Sequence, residues 1–185
     1  MQPHLIVPGW GGSGPSHWQT YWERELPHAT RLEVPDWHAP RRSDWLRALD
    51  DAICRAGSPP IVIAHSLGCV ALASWATSAT HPVRGALLVA PADVDRADSP
   101  RFLREFAPVP RTRLPFAARV IASDDDPYAK PARARQMAAD WGAQFTLLHR
   151  AGHINVEAGF GPWRDGRAWL AEIAAPPAAS PPEAA

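Results

Sequence analysis

The feature that most constrains this chain is the pentapeptide Ala64-His65-Ser66-Leu67-Gly68, placed where one kind of apolar run gives way to another. Before it, Pro60-Ile61-Val62-Ile63-Ala64 is continuous, apolar and β-branched, as a strand buried on both faces must be. After it, Leu67 to Thr77 is apolar at helical spacing. The serine therefore sits on a tight turn from strand to helix. Such a turn requires a small residue two positions before and two after the serine, because a bulky Cβ at either place would strike a neighbouring backbone. Ala64 and Gly68 meet that requirement, with Ala64 standing where this elbow usually has glycine. Ser66 is the candidate nucleophile.

The chain has 185 residues, enough for one buried core and too few for two ordinary domains. Nineteen basic and 19 acidic residues cancel, so no electrostatic footprint for nucleic acid or an anionic membrane is expected. No apolar run reaches membrane-spanning length, and the N-terminal stretch lacks the basic and long apolar regions of a signal peptide. A soluble cytoplasmic protein is expected. Cys54 and Cys69 fall in apolar helical stretches and read as small hydrophobes, not as a disulfide or a metal knuckle.

Pattern and breakers together predict strands at His4 to Val7, Arg31 to Val34, Pro60 to Ala64, Gly85 to Val89, Ala118 to Ala122 and Phe145 to His149. Helices are predicted at Ser16 to Leu26, Ser43 to Ala56, Leu67 to Ser78, Ala132 to Trp141 and Trp163 to Ile173, with Ser16 and Ser43 as N-caps. Strict alternation of strand and helix implies an α/β fold: a mainly parallel sheet with helices on both faces, in three layers. Residues 91–115, rich in Asp, Arg and Pro, hold one short helix near Phe102 to Phe106 and form a small candidate lid. Residues 1–174 are expected to form one domain, and the Pro/Ala-rich residues 175–185 a disordered tail.

A serine hydroxyl needs a base to take its proton and a third group to orient that base. His153, in Ala151-Gly152-His153-Ile154-Asn155, follows the sixth predicted strand, and the glycine lets its loop turn back toward Ser66. Asp126 follows the fifth strand, at the end of Asp124-Asp125-Asp126-Pro127. The chain order serine, acid, histidine is that of α/β-hydrolases. Asp124, Asp125 and, from the loop after the fourth strand, Asp93 stay open as alternative acids. His65 is expected to face the other side of its strand. His149 and His153 are not at the spacing of a helical zinc pair, and neither metal nor cofactor is expected. The negative oxygen of an acyl-transfer intermediate needs fixed donors. The N–H of Leu67 at the helix start, and that of Trp10 in Pro8-Gly9-Trp10-Gly11-Gly12, are best placed. Of the nine tryptophans, Trp22, Trp45, Trp75 and Trp169 read as core. Trp10, Trp18, Trp37 and Trp163 lie at or near the expected active face, and Gly9, Trp10 and Trp163 are assigned to a substrate pocket.

Val-Pro-Gly-Trp-Gly-Gly at 7–12, His-Ser-Leu-Gly at 65–68, Ser-x-x-Asp-Pro at 123–127, Gly-His-Ile-Asn at 152–155 and Gly-Phe-Gly-Pro-Trp at 159–163 run from the first strand to the last helix. On these motifs the chain resembles the small serine hydrolases grouped with retinoblastoma-binding protein 9 and YdeN. The resemblance implies a compact α/β-hydrolase fold of about six strands in the order 2-1-3-4-5-6, without a large cap domain. It also implies that Ser66, Asp126 and His153 match the family's triad. Leu67-Gly68-Cys69-Val70-Ala71 lacks the glutamate of the Leu-x-Cys-x-Glu peptide behind the family's name, so no pocket-protein interaction is expected.

The expected activity is cofactor-independent hydrolysis of a small carboxylic ester, or of an amide or thioester, with no obligate protein partner. The rival from another class is a hydrolase-fold binding or regulatory protein with an idle triad.

Overall fold

The computed structural model describes residues 2–174; residues 175–185, expected to be a tail, lie outside them. In chain order the elements are β1 (His4–Val7), α1 (Trp18–Glu25), β2 (Ala29–Arg31), α2 (Arg42–Arg55), β3 (Ile61–His65), α3 (Leu67–Ala76) and β4 (Gly85–Val89). A 3-10 helix (Arg101–Phe106), β5 (Ala117–Ser123), α4 (Pro131–Trp141), β6 (Gln144–Leu148) and α5 (Gly166–Ala174) follow. The six strands form one sheet in the order β2-β1-β3-β4-β5-β6, and every pairing is parallel. This is the three-layer α/β arrangement expected from the alternation of elements, in the strand order that the resemblance implies.

Both faces of the sheet are apolar because successive side chains of a strand point to opposite sides. Leu5, Val7, Val62, Ala64, Ala86, Leu88 and Val120 enter one core with α2, α3 and α4. Ile6, Ile61, Ile63, Leu87, Val89 and Ile121 enter the other with α1 and α5. Helix α3 is buried from Leu67 to Trp75, which explains why its sequence is apolar all round. Trp18, Trp22, Trp45 and Trp141 are among the largest fully buried side chains, each contributing roughly 3 kcal/mol of transfer free energy.

Several element ends differ from expectation, and those of β2, α1, α2 and α5 have a visible cause. Strand β2 pairs with β1 through Ala29–Arg31 instead of Arg31 to Val34; as an edge strand that is only partly buried, it carries little apolar signal. His17, not Ser16, caps α1, its Nδ1 accepting the N–H of Gln19, and α2 follows Arg41 with Ser43 already inside its first turn. Helix α5 starts at Gly166, because Trp163 has a positive φ that no helix accommodates. Within 91–115, Val94, Phe106, Val109 and Leu114 are buried in the first core, so those positions anchor the segment to the body of the fold.

Candidate active site

Chain direction reverses its progress across the sheet between β1 and β3, and in open parallel sheets such a switch leaves a crevice at the carboxyl ends of the strands. A cleft of about 250 Å³ lies there. Its lining includes Gly9 and Trp10 after β1, Ser66 and Leu67 after β3, and Tyr128 and His153 from the loops after β5 and β6.

Ser66 is held at φ 53° and ψ −123°, a conformation that costs a residue with a Cβ roughly 1–3 kcal/mol. Its surroundings impose it: the Ser66 N–H donates to Val89 O at 2.9 Å, and the Cys69 N–H donates to Ser66 O at 3.1 Å. A Cβ on Gly68 would lie 2.5 Å from Val7 O and 2.6 Å from Pro8 O, so only glycine lets α3 start against β1. Ala64, two residues before the serine, is fully buried in the core with its methyl accommodated.

His153 Nε2 lies 2.9 Å from Ser66 Oγ. Its Nδ1 lies 3.0 and 2.9 Å from the two carboxylate oxygens of Asp126. The side chains of His153 and Asp126 are 8% and 2% exposed, so this pair is shielded from water, while Ser66 opens onto the cleft. Asp126 Oδ1 also accepts the Tyr128 N–H at 2.8 Å, across the turn that Pro127 makes. The other carboxylates are engaged elsewhere. Asp124 accepts the Arg150 N–H at 2.8 Å and meets His149 Nδ1 at 2.6 Å, contacts that hold its carboxyl below the usual range. Asp125 takes the Ser123 hydroxyl at 2.6 Å and the Gly152 N–H at 2.7 Å, with the same effect on its acidity. Asp93 pairs with Arg133 Nε at 3.1 Å. Two consecutive aspartates thus brace the loop that carries His153 and leave the third to face its ring.

Two histidines of the cleft were not expected there. His65 does point away from Ala64, as strand alternation requires, but the side it faces is the one from which the loop after β6 returns. Its ring lies 4.8 Å from that of His153 and 4.9 Å from that of His17, centroid to centroid. His65 Nε2 donates to the backbone carbonyl of His153 at 2.9 Å. Burial, followed by the nearby His153 and His17, pushes the His65 pKa well below the usual histidine value. Burial and the charge of Arg31 lower that of His17 to about 4. Gln19 supports the same region, its side chain donating to Val7 O at the end of β1 and to Ile63 O within β3 and accepting from Ser13.

Trp10 is 49% exposed at the rim, its indole 5.2 Å from the Phe102 ring at a tilt of 32° and its Nε1 donating to His38 O. Trp163 is elsewhere: it stacks 5.7 Å from Trp22 and edge-on to Trp18 in the second core, outside the cleft lining. Trp18, expected near the active face, is fully buried and donates to Ile154 O, which fixes the residue after His153. Trp37 packs against Trp45 on the other core.

The sequence matches the family described as serine hydrolase over residues 4–172. A protein of Pectobacterium atrosepticum classed as a YdeN-like hydrolase is similar at a TM-score of 0.83 and 32% identity, over 94% of this chain and 90% of that one. The ydeN gene product of B. subtilis gives 0.78 at 21% identity over 94% and 98% of the two chains. Est1E of Butyrivibrio proteoclasticus, solved with ferulic acid bound, gives 0.74 at 10% identity over 95% and 90%. The last two likenesses carry the fold alone. No curated protein matches the sequence.

Proposed function

The chain belongs to the serine hydrolase family, and from that membership we propose that it cleaves a small carboxylic ester, or the related amide or thioester, through Ser66, His153 and Asp126. The observation that carries this reading is the unbroken line of contacts from Ser66 Oγ through both nitrogens of His153 to Asp126. His153 Nε2 takes the hydroxyl proton as Ser66 Oγ attacks the carbonyl carbon. Asp126 holds Nδ1–H, which fixes the tautomer and stabilises the imidazolium that forms. The N–H groups of Trp10 and Leu67 receive the negative oxygen; that of Leu67 opens α3, where no intrahelical acceptor exists. His153 then returns the proton to the leaving alcohol, and water, activated by the same ring, releases the acid from Ser66. The modest cleft volume favours a short acyl or alcohol group, with Trp10, Leu103 and Tyr128 as its apolar wall.

A fluorophosphonate probe tests the assignment. Stoichiometric labelling is expected at Ser66, abolished in Ser66→Ala, together with a loss of ester turnover on the order of 10⁶-fold. No labelling of the native protein would favour a ligand-binding role, and equal turnover in Ser66→Ala would overturn the nucleophile.

A further inference from the structure

The relay leaves His17 unexplained. Its ring lines the cleft yet is only 6% exposed, and it meets neither Ser66 nor Asp126 through a hydrogen bond. Because Nδ1 accepts the N–H of Gln19 at 3.2 Å, the neutral ring must carry its proton on Nε2. Nε2 has no protein acceptor among the described residues. That N–H is not among the fully buried unpartnered groups of the described residues, so it opens onto the cleft, where a ligand or water supplies its acceptor. Neutrality at ordinary pH follows from burial and from Arg31, so His17 presents a donor and not a charge.

Asn155, on the loop after β6, repeats the arrangement in the same cleft lining. Its Oδ1 accepts the Ala158 N–H at 3.1 Å, which orients the amide and leaves the NH₂ end to donate. This side chain also lines the cleft and has no partner for its Nδ2 among the described residues. In both residues a backbone N–H engages the acceptor atom, at His17 using its one lone pair, so the group left without a protein partner is a donor. The only formally charged side chain in the described lining is the exposed carboxylate of Glu157; no Lys or Arg lines the cleft. An anionic group would meet repulsion there, and an uncharged oxygen would not.

We propose that His17 and Asn155 form a subsite that reads an uncharged oxygen acceptor (ether, ketone, hydroxyl or amide carbonyl) on one arm of the substrate. The inference rests on the ester-hydrolase reading and narrows its substrate class to short esters with such an oxygen near the scissile bond. A hydrocarbon arm of equal size leaves both donors unpaired, and a site built to hydrogen-bond a group discriminates against the analogue that lacks it.

Two isosteric pairs test this: p-nitrophenyl butyrate against p-nitrophenyl methoxyacetate for the acyl arm, and butyl acetate against 2-methoxyethyl acetate for the alcohol arm. Each kcat/KM is divided by the ester's rate with hydroxide, which removes intrinsic reactivity. The expected result is a preference of about tenfold for the oxygen-bearing member of at least one pair. It should fall to about one in His17→Ser, since serine retains the helix cap but cannot reach the cleft, and it should shrink in Asn155→Ser. Ratios near one for both pairs in the native enzyme, or a preference that survives both substitutions, would overturn the subsite while leaving the hydrolase intact. Hydrolysis of none of the four esters would remove the ester-hydrolase reading and this inference with it.

Discussion

The Nε2–H of His65 donates to the backbone carbonyl of His153 at 2.9 Å, so the residue beside Ser66 holds in place the residue whose ring faces Ser66. His65 is buried and contributes no proton to the proposed reaction; it acts on position alone. His65→Phe is expected to lower kcat by roughly tenfold or more with little change in KM, because a small displacement of His153 weakens proton transfer more than binding. His65→Gln, which keeps an N–H, should recover part of that loss. A KM effect without a kcat effect would place His65 in binding instead.

The three consecutive aspartates make a second prediction. Asp126→Asn should cost about four orders of magnitude in kcat, since the amide favours the wrong His153 tautomer. Asp124→Asn, which weakens only the bracing of Arg150 and His149, should cost less than about tenfold. Steady-state rates on one p-nitrophenyl ester measure both, and equal losses would remove the assignment of Asp126.

Gly68→Ala is expected to destabilise the fold by about 3 kcal/mol, read from the urea midpoint. The added methyl meets two backbone carbonyls, which cannot move aside as a flexible side chain would. Activity should fall with stability, because the same carbonyls belong to the stretch leading to Gly9 and Trp10. Unchanged stability would mean that α3 can slide away from β1.

Stability should decline between pH 7.5 and pH 5. His17 has a folded pKa of about 4 against 6.5 for the free side chain, so below 6.5 the unfolded chain binds a proton that the folded chain refuses. The contribution is zero well above pH 6.5 and destabilising as pH falls toward 4. For His17 alone it amounts to about 2 kcal/mol at pH 5. His65 is shifted in the same direction and adds to it. Urea titrations across this range measure the slope, and His17→Ser should flatten it. A native slope of zero would contradict the buried, neutral state of these rings.

Layering was legible because strands buried on both faces leave continuous apolar runs, and helices between them leave a different period; the order of strands in the sheet came with the resemblance. The edge strand β2 leaves neither, being mostly half-exposed, and its span was misplaced accordingly. At the site, Ser66 and His153 each stand in a short motif with one geometric purpose. The choice among Asp124, Asp125 and Asp126 depends on which carboxylates the returning loop engages, and that is a long-range contact with no local pattern. The place of Trp163 near a loop at the active face suggests a pocket residue, whereas its ring packs in the second core with Trp18 and Trp22. His17 and His65 escaped notice for the converse reason. Histidine is a rare helix cap, and the alternation of β3 reveals which way His65 points without revealing what comes to meet it.

All the loops that line the cleft leave the carboxyl ends of the parallel strands, so the far edge, where the amino ends lie, contributes nothing to the described lining. Gly57, Ser58 and Pro59 are exposed in a connection on that far edge. Division of labour of this kind gives the scaffold latitude: new termini or inserted peptides can enter at the back of the molecule while the front retains its geometry. Change in substrate choice and change in chain architecture can then proceed independently.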